Sequence, residues 1–239
     1  MICKHLLLFV IAWILPTTST ILLNKTNHLL IHGPIDANVA SNFVYESQLH
    51  FNRIRYVYIY SPGGDVRAGE QIVEELQLRN YTCIADQAYS MAFVLLQACP
   101  RRLVRPSASL MQHQISLTRV IGNLGTIQSL LQDVERMKNR LIALQAKRIG
   151  VSPEWLINKT TNDWWMDAKE AVRSGCADRI EPMIRCSVKL TATRISRIET
   201  DLSELFAIAH VKEYSACPLV HRPLQTVASA SVNISRGTQ

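Results

Sequence analysis

The sequence predicts an α/β domain, and three observations carry that prediction. Short runs of β-branched and aromatic residues alternate with helical periodicity through roughly the first 110 residues. The junctions carry turn signals, Gly33-Pro34 and Ser61-Pro62-Gly63-Gly64. A chain of 239 residues, 48% hydrophobic and 19% charged, can bury a core without staples. With only nine Gly and nine Pro, the same composition excludes a disordered, coiled-coil, collagen-like or low-complexity chain. Strands that alternate with helices build a parallel sheet through right-handed crossovers.

Each element has its own signal. Residues 27–33 read as a strand ending at Gly33-Pro34, and residues 35–50 as a helix with Val39, Phe43 and Val44 inward. Arg55–Tyr60 (RYVYIY) is a strand, and Ala68–Leu78 a helix with Ile72, Val73 and Leu76 on one face. Tyr81–Ala85 is a further strand; Ser90–Ala98 is almost wholly apolar, so it reads as a buried helix. Arg102–Val104 and Ser109–Met111 read as two short strands around Pro106. Thr126–Arg148 is a long amphipathic helix whose stripe includes Ile127, Leu131, Val134, Met137, Leu141 and Leu144. Ser152 caps the next helix, with Pro153 at its first position. Asp167 caps another, which stops at Gly175. The remainder has one amphipathic stretch, Ile198–His210, and a Ser/Thr/Val-rich end that reads as loose.

The N-terminus reads as an address. Lys4 and His5 precede an apolar run, Leu6–Leu15, followed by Pro16 and the small polar residues Thr17–Thr20, the order of a secretory signal peptide. Such a run is too short to cross about 30 Å of hydrocarbon as a helix. The expected organisation is a signal peptide over 1–20, a folded domain over 21–186 and a C-terminal extension over 187–239. The expected location is secreted or periplasmic. Ile21–Leu23 resume the apolar character, so an uncleaved N-terminus held at a membrane is the alternative. Cleavage removes Lys4 and Cys3, lowering the net charge from +7 to +6 and the cysteines from six to five. In an oxidising compartment five cysteines allow two bridges with one left over. Cys83 and Cys99 lie 16 apart, Cys176 and Cys186 lie 10 apart, and Cys217 reads as the odd one; unpaired buried thiols are equally open. Four Asn-x-Ser/Thr sequons occur, at Asn24, Asn80, Asn158 and Asn233. Basic runs interleaved with aromatics and zinc-spaced Cys/His clusters are both missing, so no nucleic-acid partner, metal or cofactor is expected.

Three places carry candidate chemistry. In Ser61-Pro62-Gly63-Gly64, paired glycines free backbone N–H groups to face an anion or an oxyanion. Ser90, in Gln87-Ala88-Tyr89-Ser90-Met91-Ala92, stands between a strand and a buried helix, where it is either a nucleophile or an N-cap. His113, in Met111-Gln112-His113-Gln114, ends a strand and is the residue type that serves a nucleophilic serine as base.

Together these residues resemble the proteolytic subunit family of the Clp proteases, serine peptidases of the ClpP/crotonase fold, over about residues 28–183. The family's Y-I-x-S-P-G-G-x-V-x-A-G is matched by Tyr58–Gly69, with Tyr60 where asparagine is usual. Its Q-A-A-S-M-G is matched by Gln87–Ala92, its P-N-x-x-x-M-x-H-Q is echoed by Pro106–Gln114, and its S-A-x-E-A-V-x-x-G-L-x-D-x-I by Asp167–Ile180. The resemblance implies stacked βαβ units with a protruding handle helix, here Thr126–Arg148, and a homo-oligomer. It also implies Ser90 as nucleophile, His113 as base, and the N–H groups of Gly64 and Met91 as oxyanion hole, acting on a peptide or protein substrate.

Two departures stand out. Ala92 replaces the family's glycine, and Lys159 falls where the family has the aspartate that orients its histidine. Lysine accepts no hydrogen bond, so Asp163, four residues on, is the candidate third member of the triad. A dyad, an inactive binding protein, or a lysine base at Lys138 of the kind used by signal peptide peptidases of this fold are the alternatives. A signal peptide would separate the chain from cytosolic ATPases, so no ATPase partner is expected.

Overall fold

The computed structural model describes residues 20–117, 120–202 and 206–233. The segment read as a signal peptide therefore lies outside the described residues, Thr20 excepted. The described chain opens with β1 (Ile21–Leu23), β2 (His28–His32), α1 (Ala37–Leu49), β3 (Tyr56–Ser61), α2 (Val66–Leu78), β4 (Thr82–Tyr89), α3 (Met91–Ala98) and β5 (Arg101–Gln112). Then follow α4 (Leu124–Ile149), α5 (Pro153–Lys159), β6 (Trp164–Asp167), α6 (Ala168–Arg173), β7 (Arg179–Ile180), β8 (Ile184–Cys186) and α7 (Val188–Ala192). The extension supplies β9 (Arg194–Leu202), β10 (Phe206–Ser215) and β11 (Gln225–Asn233).

The central sheet runs β2-β3-β4-β5-β6, with β7 also on β5. Strands β2 to β5 are parallel, as the alternation predicts, and β6 returns antiparallel. Alternation along β3 explains the two cores. Val57 and Ile59 face one side, where they join Ile72, Leu76, Phe93 and Leu96 of the helical layer. Tyr58 faces the other, with Ile84, Leu103, Ile184, Leu190 and Cys217. Both faces are covered, which is why Tyr56–Tyr60 of this run are apolar or aromatic at every position rather than alternating with polar residues.

Local codes set the helix starts. The side chains of Asp36, Asp65, Asn123, Ser152 and Asp167 each accept a hydrogen bond from a backbone N–H three residues on. Helix α4 ends at Gly150 in the left-handed conformation. Among the described residues no helix is long and apolar enough to cross a membrane.

Four readings change. The strands expected on either side of Pro106 are one strand, β5, in which the register against β4 shifts between Ala85 and Gln87. The shift takes Pro106, which has no N–H to give, out of the ladder. Ile21–Leu23 form a strand paired in parallel with β8, with Ile21 and Leu23 buried. Residues 198–202 and 206–210 of the amphipathic stretch belong to β9 and β10, and Gln225–Asn233 of the end read as loose is β11; the three form an antiparallel sheet, β11-β10-β9. Finally, Cys217 pairs with Cys186, and the buried Cys176 is the free thiol among the described residues; Cys83 pairs with Cys99. Burial pushes the Cys176 thiol up to about 12.

The extension is part of the second core. Beside the Cys186–Cys217 bridge, His221 stacks on Tyr60 with ring centroids 3.9 Å apart, and its Nε2 lies 2.7 Å from Asp86 Oδ2. Asp86 also accepts from Tyr58 Oη and Ser107 Oγ, each at 3.0 Å, and pairs with Arg105 at 3.5 Å. Burial alone would raise the Asp86 carboxyl. The His221 hydrogen bond, the Arg105 charge and the two hydroxyls together hold it below the usual carboxylate range.

Candidate active site

Ser90 connects β4 directly to α3. With no loop to absorb the reversal, the residue takes φ 54° and ψ −121°, and it is the one non-glycine at positive φ among the described residues. Such a conformation costs on the order of 1–3 kcal/mol and persists only where the surroundings impose it. Here they do: Ser90 N–H donates to Met111 O at 2.9 Å, and Ser90 O accepts from Phe93 N–H at 3.0 Å. The Ser90 side chain makes no capping hydrogen bond, so the N-cap reading fails and the hydroxyl is left for another partner.

That partner is His113, whose Nε2 lies 2.7 Å from Ser90 Oγ. Neighbouring parallel strands bring the two together. Tyr89 at the end of β4 pairs with Met111 on β5, so the residues just beyond each strand meet at one end of the sheet. Ligand sites of open α/β sheets lie at these carboxyl ends.

The glycine loop closes the site. Gly63 has φ 92°, and a Cβ there would fall 2.6 Å from Tyr89 O, 2.8 Å from Ser90 Cβ and 2.9 Å from Met91 N. Gly64, at φ 151°, bridges Ile35: Ile35 N–H donates to Gly63 O and Asp65 N–H to Ile35 O, both at 2.8 Å. This pairing turns Gly64 N–H to the opposite side, where Gly64 lines one pocket with Ser90, Met91 and His113. Met91 opens α3, so its N–H has no partner within the helix. Gly69, in the family's A-G step, makes room for the Met91 side chain; a Cβ there would meet it at 2.4 Å. Ala92 is fully buried in the core.

The third triad position is different. Asp163 is exposed in the turn before β6, does not line the pocket, and makes no hydrogen bond to His113. Lys159 is also exposed, with its Nζ 5.4 Å from the centre of the Trp164 ring. Lys138 does line the pocket, but its Nζ lies 2.7 Å from Glu135 Oε1, while the Ser90 hydroxyl is held by His113.

Sequence reasoning passed over two residues beneath His113. Its backbone N–H donates to Gln112 Oε1 at 3.2 Å, Gln112 Nε2 to Gln145 Oε1 at 2.5 Å, and Gln145 Nε2 to Leu141 O at 2.9 Å. The available signal was Gln145 itself, a polar residue one turn beyond Leu141 on the apolar stripe of α4.

The arrangement suits acyl transfer: a strained, uncapped serine, an imidazole on its oxygen, and two backbone donors beside it. A family model, Clp protease, matches residues 17–183. The ATP-dependent Clp protease proteolytic subunit 2 of Pseudomonas aeruginosa is 27% identical over 166 residues, covering 65% of this chain and 81% of that protein. Members of the family are serine peptidases that form homo-oligomers and act on peptides or proteins. With the family's serine, histidine and glycine-loop motifs gathered at one end of the sheet and its model spanning most of the domain, the chain belongs to the Clp protease family.

Proposed function

We infer that this chain is a serine peptidase working outside the cytosol, without an ATPase partner, on unfolded or short peptides. The observation that carries the reading is the 2.7 Å contact between Ser90 Oγ and His113 Nε2 at a serine held at positive φ. In the tautomer with Nε2 unprotonated, the hydroxyl donates to the imidazole. Ser90 Oγ attacks the peptide carbonyl as His113 takes its proton. The N–H groups of Gly64 and Met91 receive the oxyanion. Protonated His113 then gives its proton to the leaving amine, and water, activated the same way, hydrolyses the acyl-enzyme. The signal-like N-terminus supports a secreted or periplasmic location, and so do the bridges Cys83–Cys99 and Cys186–Cys217. Helix α4 exposes Leu124 and Leu131, which suits self-association along this handle.

A second reading, a binding or scaffolding protein on the same fold, is favoured by Lys159 at the orienting position and by the exposed Asp163. Labelling with a fluorophosphonate separates the two. The peptidase reading expects labelling that Ser90→Ala abolishes; labelling that is absent, or unaffected by the substitution, refutes it.

A further inference from the structure

We propose that the C-terminal extension positions the nucleophile: His221 grips the bulge at Asp86 in β4 and the ring of Tyr60 in β3, and that grip sets where Ser90 and the Gly64 N–H stand. His221, Asp86 and Tyr60 are then positioning residues for the peptidase reading above, on which the proposal rests.

The bulge comes first. Against β3, Asp86 is an extra residue: Ile59 pairs with Ala85, and the next residue, Tyr60, pairs with Gln87. Against β5, Ala85 pairs with Val104 and Gln87 with Ser109, so Asp86 stands outside that ladder too. Successive side chains of a strand point to opposite faces, so one residue fewer here would turn the rest of β4 over relative to β3. The pairing of Tyr89 with Met111, which brings Ser90 to His113, depends on this offset. Bulges beside active sites re-aim the side chains that follow them.

The Asp86 carboxylate then ties the bulge in place. Tyr58 of β3 and Ser107 of β5 donate to it, and Arg105 of β5 pairs with it. Its remaining partner comes from outside residues 17–183, the span matched by the family model: Nε2 of His221, at 2.7 Å. Asp86 is ionised and only accepts, so His221 donates, in a hydrogen bond strengthened by the charge. The same imidazole lies nearly flat on Tyr60, with 14° between the rings. Tyr60 stands where asparagine is usual in the family, and an asparagine has no ring for His221 to cover. Tyr60 also stacks on His32, which Arg197 of β9 approaches at 2.9 Å. The extension thus holds the end of β3 at two points.

Spacing links this grip to the chemistry. Asp86 precedes Ser90 by four residues, and Tyr60 precedes Gly64 by four. The nucleophile and one oxyanion donor therefore each follow closely on a strand end that His221 holds. His221 is itself anchored. Cys217, four residues earlier, is bridged to Cys186 of β8. Val220 N–H donates to Cys217 O at 3.1 Å, and Leu224 N–H to Glu213 O at 2.7 Å.

The test uses the full chain, timed fluorophosphonate labelling below each melting midpoint, and steady-state cleavage of one fluorogenic peptide. His221→Ala should label about tenfold more slowly than wild type, part of the roughly 10²-fold that a displacement of about 1 Å costs. Its kcat should fall by a like factor while KM stays within about twofold, because Tyr60, Asp86 and His221 do not line the pocket at Ser90. Tyr60→Asn should slow labelling in the same way, and Tyr60→Phe, which keeps the ring, should label at the wild-type rate. Gly150→Ala, which loses stability away from the grip, should also label at the wild-type rate. Wild-type labelling by His221→Ala, or equal slowing in Gly150→Ala, overturns the positioning role and leaves the peptidase reading standing. Equal rates for Tyr60→Asn and Tyr60→Phe overturn the role of the stack in the same way. Absence of both labelling and cleavage in wild type overturns the peptidase reading and this proposal with it.

Discussion

Substituting Gly63 and Gly150 separately isolates the role of the glycine loop. Both have nearly the same positive φ, 92° and 87°, so an added Cβ meets torsional strain at each, on the order of 1–2 kcal/mol. Their surroundings differ. Nothing lies within 4 Å of a Cβ at Gly150, whereas at Gly63 it lands 2.6 Å from Tyr89 O, 2.8 Å from Ser90 Cβ and 2.9 Å from Met91 N. Ordinary contact begins near 3.4 Å, so the Ser90 turn must retreat by roughly half an ångström or more. That movement shifts the nucleophile and an oxyanion donor together. Misplacement of about 1 Å costs on the order of 10²-fold in rate, and losing one oxyanion donor about 10²–10³-fold. Gly63→Ala should therefore label with a fluorophosphonate about 10²-fold more slowly than wild type, and lose about 2–4 kcal/mol of stability once overpacking is added. Gly150→Ala should lose only about 1–2 kcal/mol, or a few degrees in Tm, and label at the wild-type rate. The assay is timed labelling below both melting midpoints, with melting followed by circular dichroism. Wild-type labelling by Gly63→Ala, or an equal loss in Gly150→Ala, would refute the reasoning.

Three other outcomes follow from the geometry. Asp163→Asn should leave labelling within about twofold, because the carboxylate is exposed and makes no hydrogen bond to His113; a loss near 10⁴-fold, as for a true orienting aspartate, would place it in the triad. His221→Ala should cost about 2 kcal/mol in denaturant unfolding through the lost bond to the mostly buried Asp86. Because the folded Asp86 carboxyl sits below its ordinary value, its stabilisation is present above about pH 4 and is lost as pH falls through the folded value. Acid unfolding of His221→Ala should thus begin at higher pH, and an unchanged acid midpoint would contradict the assignment. Cys176, buried with its thiol raised to about 12, should resist iodoacetamide in the native protein and react in denaturant without reductant, as read by peptide mass.

The handling of Ser90 shows how much of the site was legible. The Gln87–Ala92 and Met111–Gln114 motifs name the serine and the histidine, but the same serine reads equally as a helix cap. Two tertiary facts separate the roles: the absence of a capping bond, and the 2.7 Å approach of His113. Asp163 shows the opposite case. Counting residues from Lys159 proposes it as the replacement acid, yet α5 and the turn that follows leave it in solvent. Linear spacing does not report the direction of a side chain after a turn.

The sequence by itself determined what depends on neighbours within about four residues. Helix periodicity, the aspartate, asparagine and serine caps, the glycine turns and the strand-helix alternation are hydrogen bonds and steric limits local to each segment. The parallel order of the sheet followed from that alternation. Tertiary structure alone decided the passage of β5 through Pro106 and the strands of the extension. It also decided the pairing of Cys186 with Cys217 and the clasp of His221 on Asp86. Each joins residues far apart in the chain, and the free energy that selects such a pairing comes from burying both partners together, which no single segment encodes.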